Sequence, residues 1–303
     1  MLVETIPNRA TIERAVERVR RAAKGLSVRG DRAQRRKLLA SLPHNKKLDG
    51  VVDEARGHAK LPAGLIERVE PAVEIAQQIL AERRNGDWQT EKRHRPVLLS
   101  PKRYEEAPAF FDLALSDDIL QIAGEYLGEV PVLLNIKLWW SPVNQTLKGS
   151  QLFHRDGMNW FQRRAKFLFN MIDVDENCGP FTFLPADVSW RVANALGSLH
   201  IQERVADEEI YRHAKPADAI SVVGPAGAGA MVDSSRCFHF GGRARGGERL
   251  ILMFHFLDSI DVSSEGSGVH RSPGFAARFG SDPVRGLVIA NRTEAETVID
   301  DSM

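Results

Sequence analysis

A change of hydrophobic period near Val130 constrains this chain more than any other feature. Before it, apolar residues recur at helical spacing. Ile12, Ala15, Val16, Val19, Ala22, Ala23 and Leu26 form one stripe, with Gly25 and Gly30 marking its end. Leu38, Leu39 and Leu42 continue in that style up to Pro43. A third helix is expected over about 65–84, with Pro71 kinking it or shifting its start. Two short helices follow in 104–127, the second capped by Ser116 and closed by Gly128. After Val130 the apolar runs are short, rich in β-branched and aromatic residues, and separated by Gly, Pro and Asn: 132–140, 166–174, 181–184, 230–233 and 249–257. Helices first and strands after predict an α+β fold, with helices packed on one side of a β-sandwich or jelly roll.

The strand half carries the chemistry. In Gln151-Leu-Phe-His154-Arg-Asp156, alternation along a strand turns Leu152, His154 and Asp156 to one face, which puts two metal donors side by side. A third donor is expected from His239, at the end of a strand and just before Gly241-Gly242, where the backbone can turn closely beneath a ligand. Two imidazoles and one carboxylate form the facial set that holds Fe(II) and leaves the opposite side open for oxygen chemistry. Arg249 opens the most apolar strand, and its parity matches that of Ile251 and Met253. One reading has its guanidinium snorkelling to water; the other buries it, where it needs a carboxylate partner such as a dicarboxylate cosubstrate. His255 is a rival third ligand on the same face. Six strand residues at ~3.3 Å each set it about 20 Å from Arg249, so a hydrogen-bonded core or rim histidine is the preferred reading. His44, His58, His94, His200, His213 and His270 sit in polar or loop contexts and receive no role.

Composition excludes several classes of partner. A net charge of +1 over 303 residues gives no overall case for nucleic acid or an acidic membrane. The basic run 29–37 reads as a solvated helix face. Cys178 and Cys237, both in apolar surroundings, fit buried thiols better than a disulfide framework. With no secretory pattern at Met1-Leu-Val-Glu-Thr-Ile-Pro and no apolar run near the roughly 18 residues of a bilayer span, a cytoplasmic protein is expected.

Taken in order, Gly149-Ser-Gln-Leu-Phe-His-Arg-Asp, Lys166-Phe-Leu-Phe, Asn177-Cys-Gly-Pro-Phe-Thr-Phe-Leu-Pro, Val223-Gly-Pro-Ala-Gly, Val232-Asp, His239 and Arg249 resemble the phytanoyl-CoA dioxygenase-like family. The resemblance runs from about 107 to 257 and is loose before that. It implies a double-stranded β-helix (jelly-roll, cupin-like) core at 129–260, a mainly helical part at 1–128 packed on one face, and a C-terminal extension at 261–303, all in one oxygenase domain. It implies Fe(II) on His154, Asp156 and His239, with 2-oxoglutarate as cosubstrate and its distal carboxylate on Arg249. It further implies that Asn135 and Lys137 seat the cosubstrate. Trp160 falls where the family places an aromatic pocket wall, with a core tryptophan as the alternative. The reaction implied is O2-dependent hydroxylation of a C–H bond in a small-molecule or thioester-linked substrate, with release of succinate and carbon dioxide. Halogenases of this superfamily carry a small residue in place of the carboxylate, so Asp156 favours hydroxylation. Two departures stand out: Gly241 replaces a Ser or Asn that could bond the cosubstrate, and Asp187 lies where a histidine motif is common, at the expected pocket rim. The 191–219 insert is expected to shape the substrate mouth. The competing reading is a non-catalytic or non-oxidative jelly-roll metal-binding protein, which has no need of a buried dicarboxylate anchor at Arg249.

Overall fold

The computed structural model describes residues 9–85, 95–156, 160–197, 204–262 and 268–289. The extreme N-terminus, His94, His200, positions 198–203 of the insert, and 263–267 and 290–303 of the C-terminal extension lie outside the described residues.

Helices α1 (Arg9–Ser27), α2 (Arg29–Leu39), α3 (Val69–Asn85), α4 (Pro108–Ala114) and α5 (Asp117–Leu127) occupy the first part of the chain. Gly25 and Gly30 do not end a helix; they lie inside α1 and α2, and the break falls at Val28. A methyl group added at Gly25 would sit 3.4 Å from the Ile260 side chain, so this glycine serves close packing rather than a turn. Pro71 shifts the start of α3 to Val69, which leaves the proline in the first turn, where a missing N–H costs nothing. Ser116 caps α5 through Ile119 N, and Gly128 closes it in the left-handed region at φ 77°.

Strands are not confined to the second part. β1 (Val52–Asp53), β2 (His58–Leu61) and β3 (Val97–Leu99) arise among the helices and supply both edges of the large sheet. At two to four residues they are too short to show a period, and only long-range pairing makes them strands. With β4 (Val132–Ser141), β5 (Arg164–Asn170), β8 (Gly229–Val232) and β10 (Arg249–Leu257) they form a seven-stranded antiparallel sheet, in the order β1-β2-β8-β5-β10-β4-β3. A second antiparallel sheet joins β7 (Ile220–Ser221), β6 (Thr182–Phe183) and β9 (His239–Phe240) in that order. Four shorter helices, α6 (Ala186–Ala195), α7 (Asp207–Ile210), α8 (Pro273–Phe279) and α9 (Pro283–Val288), complete the described elements used below.

Alternation along β10 divides the molecule. Leu250, Leu252, Phe254 and Phe256 join Ile136, Leu138, Phe167 and Phe169 against Leu113, Ile119, Ile122 and Tyr126 of the helices, in one fully buried core. Arg249, Ile251, Met253 and His255 face the other way, opposite Trp139, Lys137 and Asn135 of β4 and Lys166 and Leu168 of β5. Burying each phenylalanine of the helix-side layer contributes about 1.5–3 kcal/mol. That layer holds the central strand firm while its second face carries charge.

Phe254→Ala removes a fully buried ring from the helix-side layer and should destabilise the fold by about 3–5 kcal/mol in urea unfolding. Because Phe254 points away from the cavity, divalent-metal affinity of the folded variant should match wild type. A metal defect of the same variant would show that the two faces are not independent.

Candidate metal centre

His154 and His239 are placed by a backbone exchange. His154 N donates to His239 O at 3.0 Å and His239 N donates to His154 O at 2.8 Å, an isolated antiparallel bridge onto the first residue of β9. Side chains of directly paired residues share a face, and here the two imidazole centroids are 4.3 Å apart. Phe153 pairs with Val205 on the other side, and Asp156 N donates to Ser234 O at 2.7 Å, so the His-x-Asp segment is held along its length. Beneath it lies Asp233, fully buried and kept at a raised pKa by that burial. It accepts from the Tyr126 hydroxyl, from Ser235 Oγ at 2.6 Å and from the backbone N–H groups of Ser235, Arg236 and Arg164. This carboxylate ties the turn leading to His239 to α5 and β5.

Ligand atoms of His154, Asp156 and His239 all lie within 4.8 Å of one another. Each imidazole has its Nδ1 bonded to the carbonyl two residues earlier, His154 to Leu152 at 2.8 Å and His239 to Cys237 at 2.9 Å. A carbonyl can only accept, so Nδ1 carries the proton and Nε2 keeps its lone pair. His154 is 5% and His239 2% exposed. Burial pushes the pKa of His239 down to about 4, and burial together with His239 holds that of His154 well below the usual imidazole range. Asp156 stays ionised: burial opposes its charge, but Lys166, His239 and His154 hold its carboxyl well below the usual range. Neutral, pre-oriented imidazoles beside an ionised carboxylate fit a divalent first-row metal with positions left open on one side.

The same carboxylate is ion-paired with the Lys166 ammonium, whose pKa is lowered by burial and partly restored by Asp156. Lys166 opens the Lys166-Phe-Leu-Phe motif, to which the sequence assigns no role, and its parity on β5 with Leu168 turns it into the cavity.

Arg249 is 3% exposed and lines the same cavity of about 470 Å³ as the triad, together with Asn135 and Lys137. Its Nη2 lies 3.4 Å from Ser141 Oγ, while Nε and Nη1 have no partner among the described residues. Burial foremost, then the charge of Arg95, pushes its pKa down to about 9. The glycine at 241 has a physical reason: an added Cβ would lie 2.6 Å from Arg249 Nη1 and 3.1 Å from Nη2. Gly241 makes room for the guanidinium rather than bonding a ligand.

His255 is a buried histidine, as its spacing from Arg249 predicts: it lines the same elongated cavity but is not among the clustered donors. It contacts Arg164 at 3.4 Å, and burial, with Arg164 and Lys166, keeps its pKa well below the usual range. Trp160 does not line the cavity. Its ring packs 4.8 Å from Trp190 in a second apolar cluster, with the Arg155 guanidinium 4.7 Å above it. Asp187 turns outward from the first turn of α6 to Arg56 at 3.6 Å and does not line the cavity that holds the triad. Arg243, in the loop before β10, is paired with Asp207 at 2.6 and 2.7 Å and lies 3.5 Å over the Phe240 ring.

The lowered imidazole pKa values set the pH response of metal binding. Two histidines at the ordinary value near 6.5 would lose affinity about 100-fold between pH 7.5 and 5.5 as protons compete for Nε2. Here both imidazoles are already neutral across that window, so calorimetric Co(II) affinity should change by less than about threefold. A hundredfold fall would show that the imidazoles are not held neutral by burial.

No protein-family profile and no curated protein matches the chain. Solved structures it is similar to include HygX from Streptomyces hygroscopicus with nickel and 2-oxoglutarate bound, at 15% identity over 71% of this chain and 88% of that one, TM-score 0.48. AviO1 from Streptomyces viridochromogenes Tue57 gives 15% identity, 72% and 97% coverage and TM-score 0.47. The epimerase SnoN in complex with Fe3+, alpha ketoglutarate and nogalamycin RO gives 17%, 75%, 84% and 0.44. Likeness of this extent assigns neither fold nor chemistry to the chain, and the site has to be read from its own residues.

Proposed function

We propose that the chain is an Fe(II)/2-oxoglutarate-dependent oxygenase acting on a small-molecule or carrier-bound metabolite, its two sheets forming the halves of a jelly-roll core. One observation carries this reading: the triad shares its cavity with a buried arginine whose Nε and Nη1 have no partner among the described residues. A metal site alone would serve an isomerase or hydrolase. A buried guanidinium left without a carboxylate costs several kcal/mol, which a bound dicarboxylate offsets.

His154 and His239 would hold the iron through Nε2 and Asp156 through its carboxylate. Iron with 2-oxoglutarate and dioxygen supplies an oxidant for an unactivated C–H bond, with succinate and carbon dioxide released. Arg249 would take the distal carboxylate of the cosubstrate in a forked pair, and Asn135 and Lys137 would steady its other end. Lys166 is ion-paired with Asp156, and a divalent ion on that carboxylate would free it to partner a cosubstrate carboxylate. Leu168, Phe181, Ile251 and Met253 give the cavity apolar walls that keep water from the reacting centre. Asp156 favours hydroxylation over halogenation, since it leaves no ligand position for halide.

The Lys166–Asp156 pair also favours a second reading, an anion-binding protein in which the ammonium is the resident cation. Anaerobic titration with Fe(II) and 2-oxoglutarate separates the two. The oxygenase reading expects a visible charge-transfer band that needs both additions, and succinate once oxygen is admitted. His239→Ala should abolish both. Arg249→Met should keep iron and weaken 2-oxoglutarate about 100-fold. Failure of wild type to form band or succinate would leave the binding-protein reading standing.

Gly241→Val tests the guanidinium's seat. The new side chain displaces Arg249, so 2-oxoglutarate affinity should fall at least about tenfold while Co(II) affinity holds. Unchanged cosubstrate affinity would mean that Arg249 is not the anchor.

A further inference from the structure

Two arginines that line the cavity, Arg95 and Arg204, hold neither the metal nor the cosubstrate on the reading above. Arg95 and Arg204 arrive from opposite sides, each on a pinned backbone. Trp140 N donates to Pro96 O at 3.1 Å, which fixes the residue after Arg95 to the edge of β4. The Arg95 guanidinium then lies 4.0 Å over the Trp139 ring, which orients its plane. Across the cavity, Val205 and Phe153 exchange backbone hydrogen bonds of 2.8 and 3.1 Å. The next pair in that antiparallel register sets Arg204 beside His154, on the face that carries both imidazoles. Both arginines line the cavity, and among the described residues neither is hydrogen-bonded or ion-paired.

Two guanidinium groups in one cavity repel, and the structure gives Arg95 a pKa pushed down to about 10 by burial, with Asp156 opposing and Arg204 adding to the fall. The cosubstrate does not relieve them. On the proposed reading its distal carboxylate belongs to Arg249 and its other end to the metal, with Asn135, Lys137 and Lys166 beside it. A second anion is therefore called for, and arginine forks suit phosphate or carboxylate oxygens.

We infer that Arg95 and Arg204 clamp an anionic group, phosphate or carboxylate, of the primary substrate, and so select anionic substrates over neutral ones. Calling the bound anion a substrate rests on the oxygenase reading; the anion site itself does not. With the head held beside His154, the remainder of the substrate would lie along Leu168, Phe181, Ile251 and Met253.

The test is calorimetry on the metal-free full chain at low ionic strength with phenyl phosphate, benzoate and phenol as probes. Phenyl phosphate or benzoate should bind at least about tenfold more tightly than phenol, and the stronger of the two identifies the anion. Arg95→Met and Arg204→Met should each weaken that anion about tenfold, while Arg249→Met leaves it within about twofold. Arg95→Lys, which keeps the charge but loses the fork, should fall between Arg95→Met and wild type, and circular dichroism checks that each variant is folded. Equal affinity for all three probes overturns the inference. So does an anion affinity lost in Arg249→Met and retained in both Arg95→Met and Arg204→Met. No metal is needed, so the outcomes separate. Anion binding without succinate formation removes the oxygenase reading and keeps the clamp; succinate formation without anion preference does the reverse.

Discussion

The site depends on one backbone pairing, the exchange of hydrogen bonds between His154 and His239. It brings together segments 85 positions apart in sequence, and it sets two imidazoles on one face without any contact between their side chains having to be selected. The carbonyls of Leu152 and Cys237 then fix the tautomer of each ring, and both belong to the same two segments. Orientation, protonation state and spacing of the donors are thus consequences of local backbone geometry, with Asp233 and Ser189 holding the two segments from below. Ser189 Oγ accepts from Phe238 N at 2.9 Å and donates to Leu184 O at 2.9 Å, which links β9 to the start of α6.

The second constraint is electrostatic. The inward faces of β5 and β10 carry Lys166 and Arg249 into a cavity in which Asp156 is the carboxylate among the described lining residues. Burying cations is expensive, and the helix-side layer of phenylalanine and leucine supplies the rigidity that tolerates it. One strand therefore holds both halves of the account: its even positions stabilise the fold, and its odd positions shape the site. Gly241 shows how tightly they are joined, since a single methyl group there would meet the Arg249 guanidinium.

Much of this was legible in the residues, and the remainder was hidden for definite reasons. The period change at Val130 marked where the long strands β4, β5 and β10 begin, and parity along β10 gave the inward set Arg249, Ile251, Met253 and His255. β1, β2 and β3 escaped notice because two to four residues carry no period, and their pairing partners lie far along the chain. Trp160 was ambiguous because a tryptophan beside a metal segment serves a wall or a core equally well, and packing with Trp190 decides for the core. Distance along β10 kept His255 out of the donor set, although the elongated cavity reaches it. Arg204 belongs to the 191–219 insert expected at the substrate mouth, but Arg95 carried no signal, and what brings the two to one cavity is a pair of backbone contacts that only the folded chain creates.

The central claim, that one divalent ion sits between these three side chains, is tested most directly by an anomalous difference map from crystals grown with Mn(II). The account predicts a single peak about 2 Å from His154 Nε2, His239 Nε2 and an Asp156 oxygen, with the Lys166 ammonium drawn away from that carboxylate. An empty map there, with Lys166 still paired to Asp156 and the ion bound elsewhere or not at all, would contradict it.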